Sequence, residues 1–516
     1  MKHKFIDVLK TFTQTDIDDF GDFLDSPFLN KSKKVTKLYK VLLEFYPNFE
    51  ESDLSDEKIN NILNPLLPFN KSTIKALFSN LYTKSKEYFK IKNFLNRRVE
   101  SSDFLRDELF KRKLFREIEN NIDEVETSLK NDCNINADYF INRFKIANDK
   151  ANLSHIFSPK SNIKSVNTDS EYILERGKYL VYFFIAEIIR EYDNLITIAK
   201  TFSLLNEENL IFQLFSKINL TEILDFVIAH EKDKKYISVF EIYNALLYSI
   251  LNFENESSYF KYKKVLIQNI DSISKDEIRF HFRGLIKNCL LRREISSDSK
   301  YIDNELFKLY NFILENGFYK SSMSEYLTFD LYRNVLVLAL RQKKFKWVLE
   351  FIKNYNLVVD PKKKKNIYNY SFAEYYFTRK NYKSALSYFQ KIKNDEFIIK
   401  MDMRNQMLIA NYELCNFEAA LSMIDSYSFF LSYDRTLSSS KKNLYKNFVK
   451  IVKLLIQYNT SPNITSNTEI ELFSNNDIPF KEWVLEKVIE TYNTQKNKDP
   501  FKKKSNITYI RQFLAS

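Results

Sequence analysis

Residues 372–389 read FAEYYFTRKNYKSALSYF, and 35 positions later residues 407–424 read MLIANYELCNFEAALSMI. In each, an aromatic residue (Tyr382, Phe417) is followed by a small one (Ala385, Ala420), then Leu386 or Leu421, then a large apolar residue (Phe389, Ile424). Apolar residues three and four apart mark one face of a helix. Two such faces in each phrase, parted by a polar step of Arg, Lys and Asn or of Cys and Asn, predict a helix–turn–helix. The spacing is close to the roughly 34-residue period of stacked helical hairpins. Ala373 and Ala385, twelve apart, are the small residues that let paired helices approach, with Tyr376 three after the first. Phe389 is the wedge against the next unit. The second copy has Leu408 in place of the first alanine, with Ala410 and Tyr412 shifted slightly. An earlier phrase, Phe345 through Val348 and Leu349 to Ile352, keeps the rhythm with valine in the small position.

Composition points the same way. The chain of 516 residues has only 4 Gly and 9 Pro. Doubly wound sheets and β-sandwiches need far more turn residues than that. An all-α fold is expected: an α-solenoid of antiparallel helix pairs behind an N-terminal helical module. The expected domains are 1–153 (N-terminal module), 171–458 (repeat array, clearest over 329–427) and 459–516 (a C-terminal helix and basic tail). The polar stretch Ser154–Ser170 reads as the connection, Asp360–Asn366 as a loop between repeats, and Asn459–Asp477 and Lys496–Asn506 as polar segments. In the N-terminal module Thr15 with Asp18 suggests a capping box. Residues 72–129 suggest two helices broken near Ser101-Ser102-Asp103. Upstream of the repeats, Tyr236–Leu251, Tyr259–Ile270, Phe280–Leu291 and Tyr301–Leu314 read as amphipathic helices.

The phrases around Ala385 and Ala420 resemble the tetratricopeptide family or its degenerate relatives, over about Phe329 to Tyr427. That resemblance implies stacked helix pairs and a binding role. The family's small residue is missing from two of three copies, and its turn proline is absent. The phrase from Phe20 through Ser26-Pro27-Phe28 to Asn30, with Lys481-Glu482-Trp483-Val484-Leu485-Glu486-Lys487 near the other end, is similar to a set of bacterial helical-repeat proteins of Bacteroidetes-like genomes. No activity is established for that set, so this second likeness implies none here.

Chemistry is sparse. His3, His155, His230 and His281 keep no metal-ligand company, and Cys133, Cys289 and Cys415 form neither a disulfide framework nor a CxxC pair. The solitary Gly21, Gly177, Gly284 and Gly317 cannot build a phosphate cradle, and Gly317 reads as a helix stop. No catalytic residue, cofactor or metal is expected, and the chain reads as a non-enzyme. The apolar run Tyr179–Ile189 contains Glu187 and is too short to cross a bilayer; the start lacks a signal sequence, so a cytoplasmic protein is expected.

The expected function is a scaffold that binds a protein or peptide on the first helices of its repeats. Counting from the small positions, Asp330, Arg333, Tyr370, Glu374, Phe377, Asn405 and Tyr412 line that face. Net charge is +12, and residues 358–516 hold 25 basic against 16 acidic side chains, so the partner is expected to be acidic. The basic runs Lys362, Lys363, Lys364, Lys365 and Lys502, Lys503, Lys504 leave an alternative, a regulator touching nucleic-acid phosphates. No recognition helix accompanies them.

Overall fold

A computed structural model describes residues 3–47, 49, 55–63, 65, 68–131, 135–157, 163–202, 210–296, 298–321, 324–393, 397–434, 439–460 and 478–498. Among the described residues there are 23 α-helices and no strands, so the fold is all-α. The chain divides into two compact units, Met1–Leu247 with Asp271–Ser274, and Tyr248–Ile270 with Lys275–Ser516.

The first unit begins with α1 (Lys4–Leu9), α2 (Gln14–Asp25), α3 (Lys33–Leu43), α4 (Asp56–Leu63) and α5 (Lys71–Asn96). Phe5, Phe12, Phe20, Phe23, Tyr39 and Tyr88 meet in one core there. Phe20 packs edge-on to Tyr39 at 5.0 Å, and the buried Tyr39 hydroxyl donates to the Ile17 carbonyl at 2.8 Å. The capping box falls on Thr13 and Asp16 rather than Thr15 and Asp18. The two pairs have the same spacing. The earlier start wins a further half-turn of helix, and it places Asp16 against Lys92 of α5 at 2.5 Å.

Next come α6 (Arg98–Lys111), α7 (Phe115–Asn131), α8 (Ala137–Phe157) and α9 (Ile163–Phe202), then α10 (Leu210–Lys217), α11 (Leu220–His230) and α12 (Lys234–Leu251). Residues 72–129 hold three helices rather than the expected two: the break placed at Ser101-Ser102-Asp103 lies earlier, at Arg97, whose φ −96° and ψ 77° leave the helical region, and a second falls at the Lys113 turn. Asp103 is instead inside α6, where its carboxylate serves Arg106 and Lys145 rather than a helix end. The expected connection Ser154–Ser170 is also mostly helix. Ser154–Phe157 closes α8, and α9 starts at Ile163 and packs along α8.

The second unit runs through α13 (Glu256–Gln268), α14 (Lys275–Ile295), α15 (Ser299–Glu315), α16 (Phe329–Arg341), α17 (Phe345–Tyr355), α18 (Lys364–Thr378), α19 (Tyr382–Phe389), α20 (Phe397–Glu413), α21 (Phe417–Tyr433), α22 (Ser439–Thr460) and α23 (Lys481–Lys498). From α13 to α22 each helix packs on the next, α16 also meets α18, and α22 meets α23. Ala373, Ala385 and Ala420 are fully buried, as small residues at close helix contacts must be. The Asp360–Asn366 loop is shorter than expected, since α18 starts at Lys364. Of the two later polar segments, residues 461–477 and 499–506 lie outside the described residues.

One turn geometry recurs along the second unit. α16, α18 and α20 each end two residues before a left-handed residue, Lys343, Lys380 and Cys415, all at φ 57°, and the next helix starts two residues later. The following amide closes each turn, from Lys344 to Ala339, Asn381 to Tyr376 and Asn416 to Asn411, at 2.9–3.0 Å. These are six-to-one closures of the Schellman type. Lys113, also at φ 57°, repeats the turn between α6 and α7, and Gly317 at φ 68° follows α15 as expected. A side chain at positive φ costs about 1 kcal/mol, which glycine escapes. Lys380→Gly is therefore expected to raise stability by roughly 0.5–1 kcal/mol in urea unfolding, while Lys380→Ala, which keeps the Cβ, gives no gain. Equal midpoints for the glycine and alanine variants would remove strain from the account.

Candidate binding face

Three alternate helices of the second unit, α16, α18 and α20, share a row of polar side chains. Arg333 of α16 reaches Asp402 of α20, with Nε 3.0 Å from Oδ2. Both side chains are about one-quarter exposed, 25% and 29%. Beneath them Glu374 of α18 is buried and accepts from Gln406 Nε2 of α20 at 2.8 Å. Tyr370, fully buried one turn before Glu374, packs edge-on against Phe329 of α16 at 5.6 Å. Tyr332 of α16 and Ser371 of α18 join their hydroxyls at 2.9 Å.

Burial pushes the Glu374 carboxyl up to about 7, and nearby Asp402 pushes the same way; the hydrogen bond from Gln406 and the charge of Arg333 oppose the rise. The Arg333 guanidinium bonds Asp402, and its charge also reaches Glu374. Asp402, about one-quarter exposed, takes the ion pair, and burial lets Glu374 hold its proton up to about pH 7.

Arg333, Tyr370 and Glu374 thus come together as one cluster. Asn405 sits beside it, buried, accepting from the Tyr427 hydroxyl of α21 at 3.0 Å. Tyr412 belongs to a separate group: its hydroxyl takes a hydrogen bond from Asn459 at 2.8 Å, and its ring meets Trp483 of α23 edge-on at 5.4 Å. Phe377 is half-buried against Tyr382 and Phe480. Asp330 lies exposed in the first turn of α16. Tyr370, Glu374, Asn405 and Tyr412 therefore tie helices together, and Asp330, Arg333 and Phe377 retain surface for contact. Asp402 and Gln406 escaped the reading of the sequence. The signal was there, in polar residues at 402, 405 and 406 within a helix otherwise rich in methionine and isoleucine.

Lys362, Lys363 and Lys365 are exposed and Lys364 half-buried where α18 begins; Lys502, Lys503 and Lys504 lie outside the described residues. His281 is a buried core residue, its Nδ1 2.9 Å from the Tyr262 hydroxyl. Cys289 and Cys415 are free thiols, and Cys133 lies outside the described residues. Among the described residues no helix is long and apolar enough to cross a membrane. No protein-family model, curated protein or solved structure matches the chain.

Proposed function

We propose that α16–α21 stack as a degenerate tetratricopeptide-like array of antiparallel pairs, and that the chain is a non-enzymatic scaffold binding an acidic protein or peptide along α16, α18 and α20. The observation that carries this reading is the Arg333–Asp402 pair. Its two ends lie on helices separated by three others in sequence, and it stays partly open to solvent. A repeat array brings equivalent helices side by side in this way, so that side chains far apart in sequence form one ribbon. Asp330, Arg333 and Phe377 give that ribbon a mixed charged and aromatic surface suited to fixing the register of an extended chain. The basic surplus over residues 358–516 sets the sign of the partner's charge.

The test uses the full chain as bait against an Asp330→Lys, Arg333→Glu double variant, with circular dichroism to establish equal helicity. Proteins recovered with the parent are expected to drop at least about tenfold with the variant, as loss of a central charged anchor does. Undiminished recovery would reject α16–α20 as the binding face. Recovery of nucleic acid that falls steeply with added salt would instead favour phosphate contact through the lysine run.

A further inference from the structure

α9 presents an apolar stripe that, among the described residues, nothing in its own unit covers. Ile173, Leu174, Leu180, Val181 and Phe184 are 43%, 73%, 49%, 44% and 39% exposed. With Gly177 and the half-buried Ile188 they recur at steps of three and four, which is one face of a helix. The opposite face of α9 is spent on α8 and on the buried tyrosine group of Tyr179, Tyr182 and Tyr236. Scattered exposed apolar residues need no explanation, but a contiguous stripe marks an interaction surface.

Gly177 lies within that stripe. A Cβ built there would meet nothing within 4 Å, so no neighbour in the chain requires glycine. Glycine inside a helix costs about 0.5–1 kcal/mol relative to alanine. Its return is close approach by something outside the chain.

The charges beside the stripe say what that is. Arg176 and Glu187 stand on the same flank of α9, eleven residues apart. Midway between them lie Val181 and Tyr182; midway between the ends of the stripe, Ile173 and Ile188, lie Leu180 and Val181. The charge pair and the apolar stripe share nearly one centre and are opposite in sign about it. In an antiparallel pair of identical helices, each flank meets the same flank of its copy. Arg176 then faces the second copy's Glu187, and the reverse contact forms by symmetry, as an isologous interface requires. In that register the second copy's Phe184 crosses the step between Gly177 and Leu180, where the missing side chain leaves room. Arg176 now donates to Asn148 at 3.1 Å, and Glu187 lies 3.5 Å from Arg190, contacts that leave donors and acceptor lone pairs for a further partner.

We infer that α9 is a homodimerisation helix, pairing antiparallel with α9 of a second copy about a two-fold axis near Val181. Sedimentation velocity on the full chain tests it. A dimer is expected, with Arg176→Glu and Glu187→Arg each weakening association by about tenfold, since each places like charges face to face. The double variant Arg176→Glu, Glu187→Arg is expected to restore association to within about threefold of the parent, because the pairs re-form with signs exchanged. Both positions are partly exposed, and unchanged thermal unfolding of a dilute sample checks that the fold survives. A chain that stays monomeric at about 100 μM, a dimer that Val181→Lys leaves intact, or a charge exchange that fails to restore association would each overturn the inference.

Discussion

Replacing Glu374 with glutamine is expected to abolish most of a stability loss that the parent suffers between about pH 4.5 and pH 7. Burial raises the Glu374 carboxyl from an ordinary 4.5 to about 7. Between those values the unfolded chain has released the proton and the folded chain still holds it. Stability is then fully present below the unfolded value, falls as pH rises through the window, and levels off above the folded value. A separation of that size corresponds to about 3 kcal/mol. A glutamine side chain at this position would keep the volume, stay neutral at every pH, and still accept from Gln406 Nε2. The variant is expected to match the parent near pH 4 and to exceed it by about 3 kcal/mol at pH 8 in urea unfolding. Asp16 and Glu231, both held down at about 2, add dependences of opposite sign at lower pH, and these are common to both proteins. Parallel curves for parent and variant from pH 5 to pH 8 would show that Glu374 is ionised throughout. The same titration bears on the binding face. Above the folded value, the buried Glu374 adds a negative charge beneath the Arg333–Asp402 pair.

The residues that spoke clearly in the sequence were those whose role is local. Scarce glycine and proline, and apolar steps of three and four, fix helices without reference to partners. α12 to α15 fall where Tyr236–Leu251, Tyr259–Ile270, Phe280–Leu291 and Tyr301–Leu314 place them, each starting a few residues earlier, with α13 stopping two residues short of Ile270. Roles set by distant neighbours were hidden. Ser102 and Asp103 look like a helix start because their side chains can cap, yet Asp103 is held inside α6 by Arg106 and Lys145. Tyr370 and Glu374 look like groove residues from their offset to Ala373, yet both are buried by α16 and α20. Counting along one helix gives an angle about its axis; it gives no depth in the stack. The run Tyr179–Ile189 shows the same limit. Its apolar residues can be counted along the chain, but only the packing of α9 on α8 and α12 separates its buried half from the exposed half that carries Leu180, Val181 and Phe184.

Arg106→Ala is expected to be the most destabilising single change in the first unit, at about 3–5 kcal/mol. The Arg106 side chain is 1% exposed and binds three helices at once. Within α6 it pairs with Asp103; its Nη1 donates to Asn121 of α7 at 3.0 Å, and its Nε to Asp149 of α8 at 2.6 Å. Burial holds the Asp149 carboxyl above its usual range even with Arg106 beside it. Without the guanidinium, Asp149 and Asp103 would face each other with no cation between them, and Asn121 would lose its donor. Lysine keeps the charge but has no planar fork to serve two carboxylates and an amide together. Arg106→Lys is therefore expected to fall between parent and alanine variant. Because the chain has two compact units, hydrogen exchange in α6, α7 and α8 reads the loss more directly than a global midpoint. Faster exchange is expected in those three helices, with α1–α4 unchanged. The deficit of the alanine variant should narrow as pH falls through the carboxylate range, since a protonated Asp149 needs no counter-charge. A loss under about 1 kcal/mol, or a lysine variant as protected as the parent, would mean that packing rather than the shared cation joins these helices.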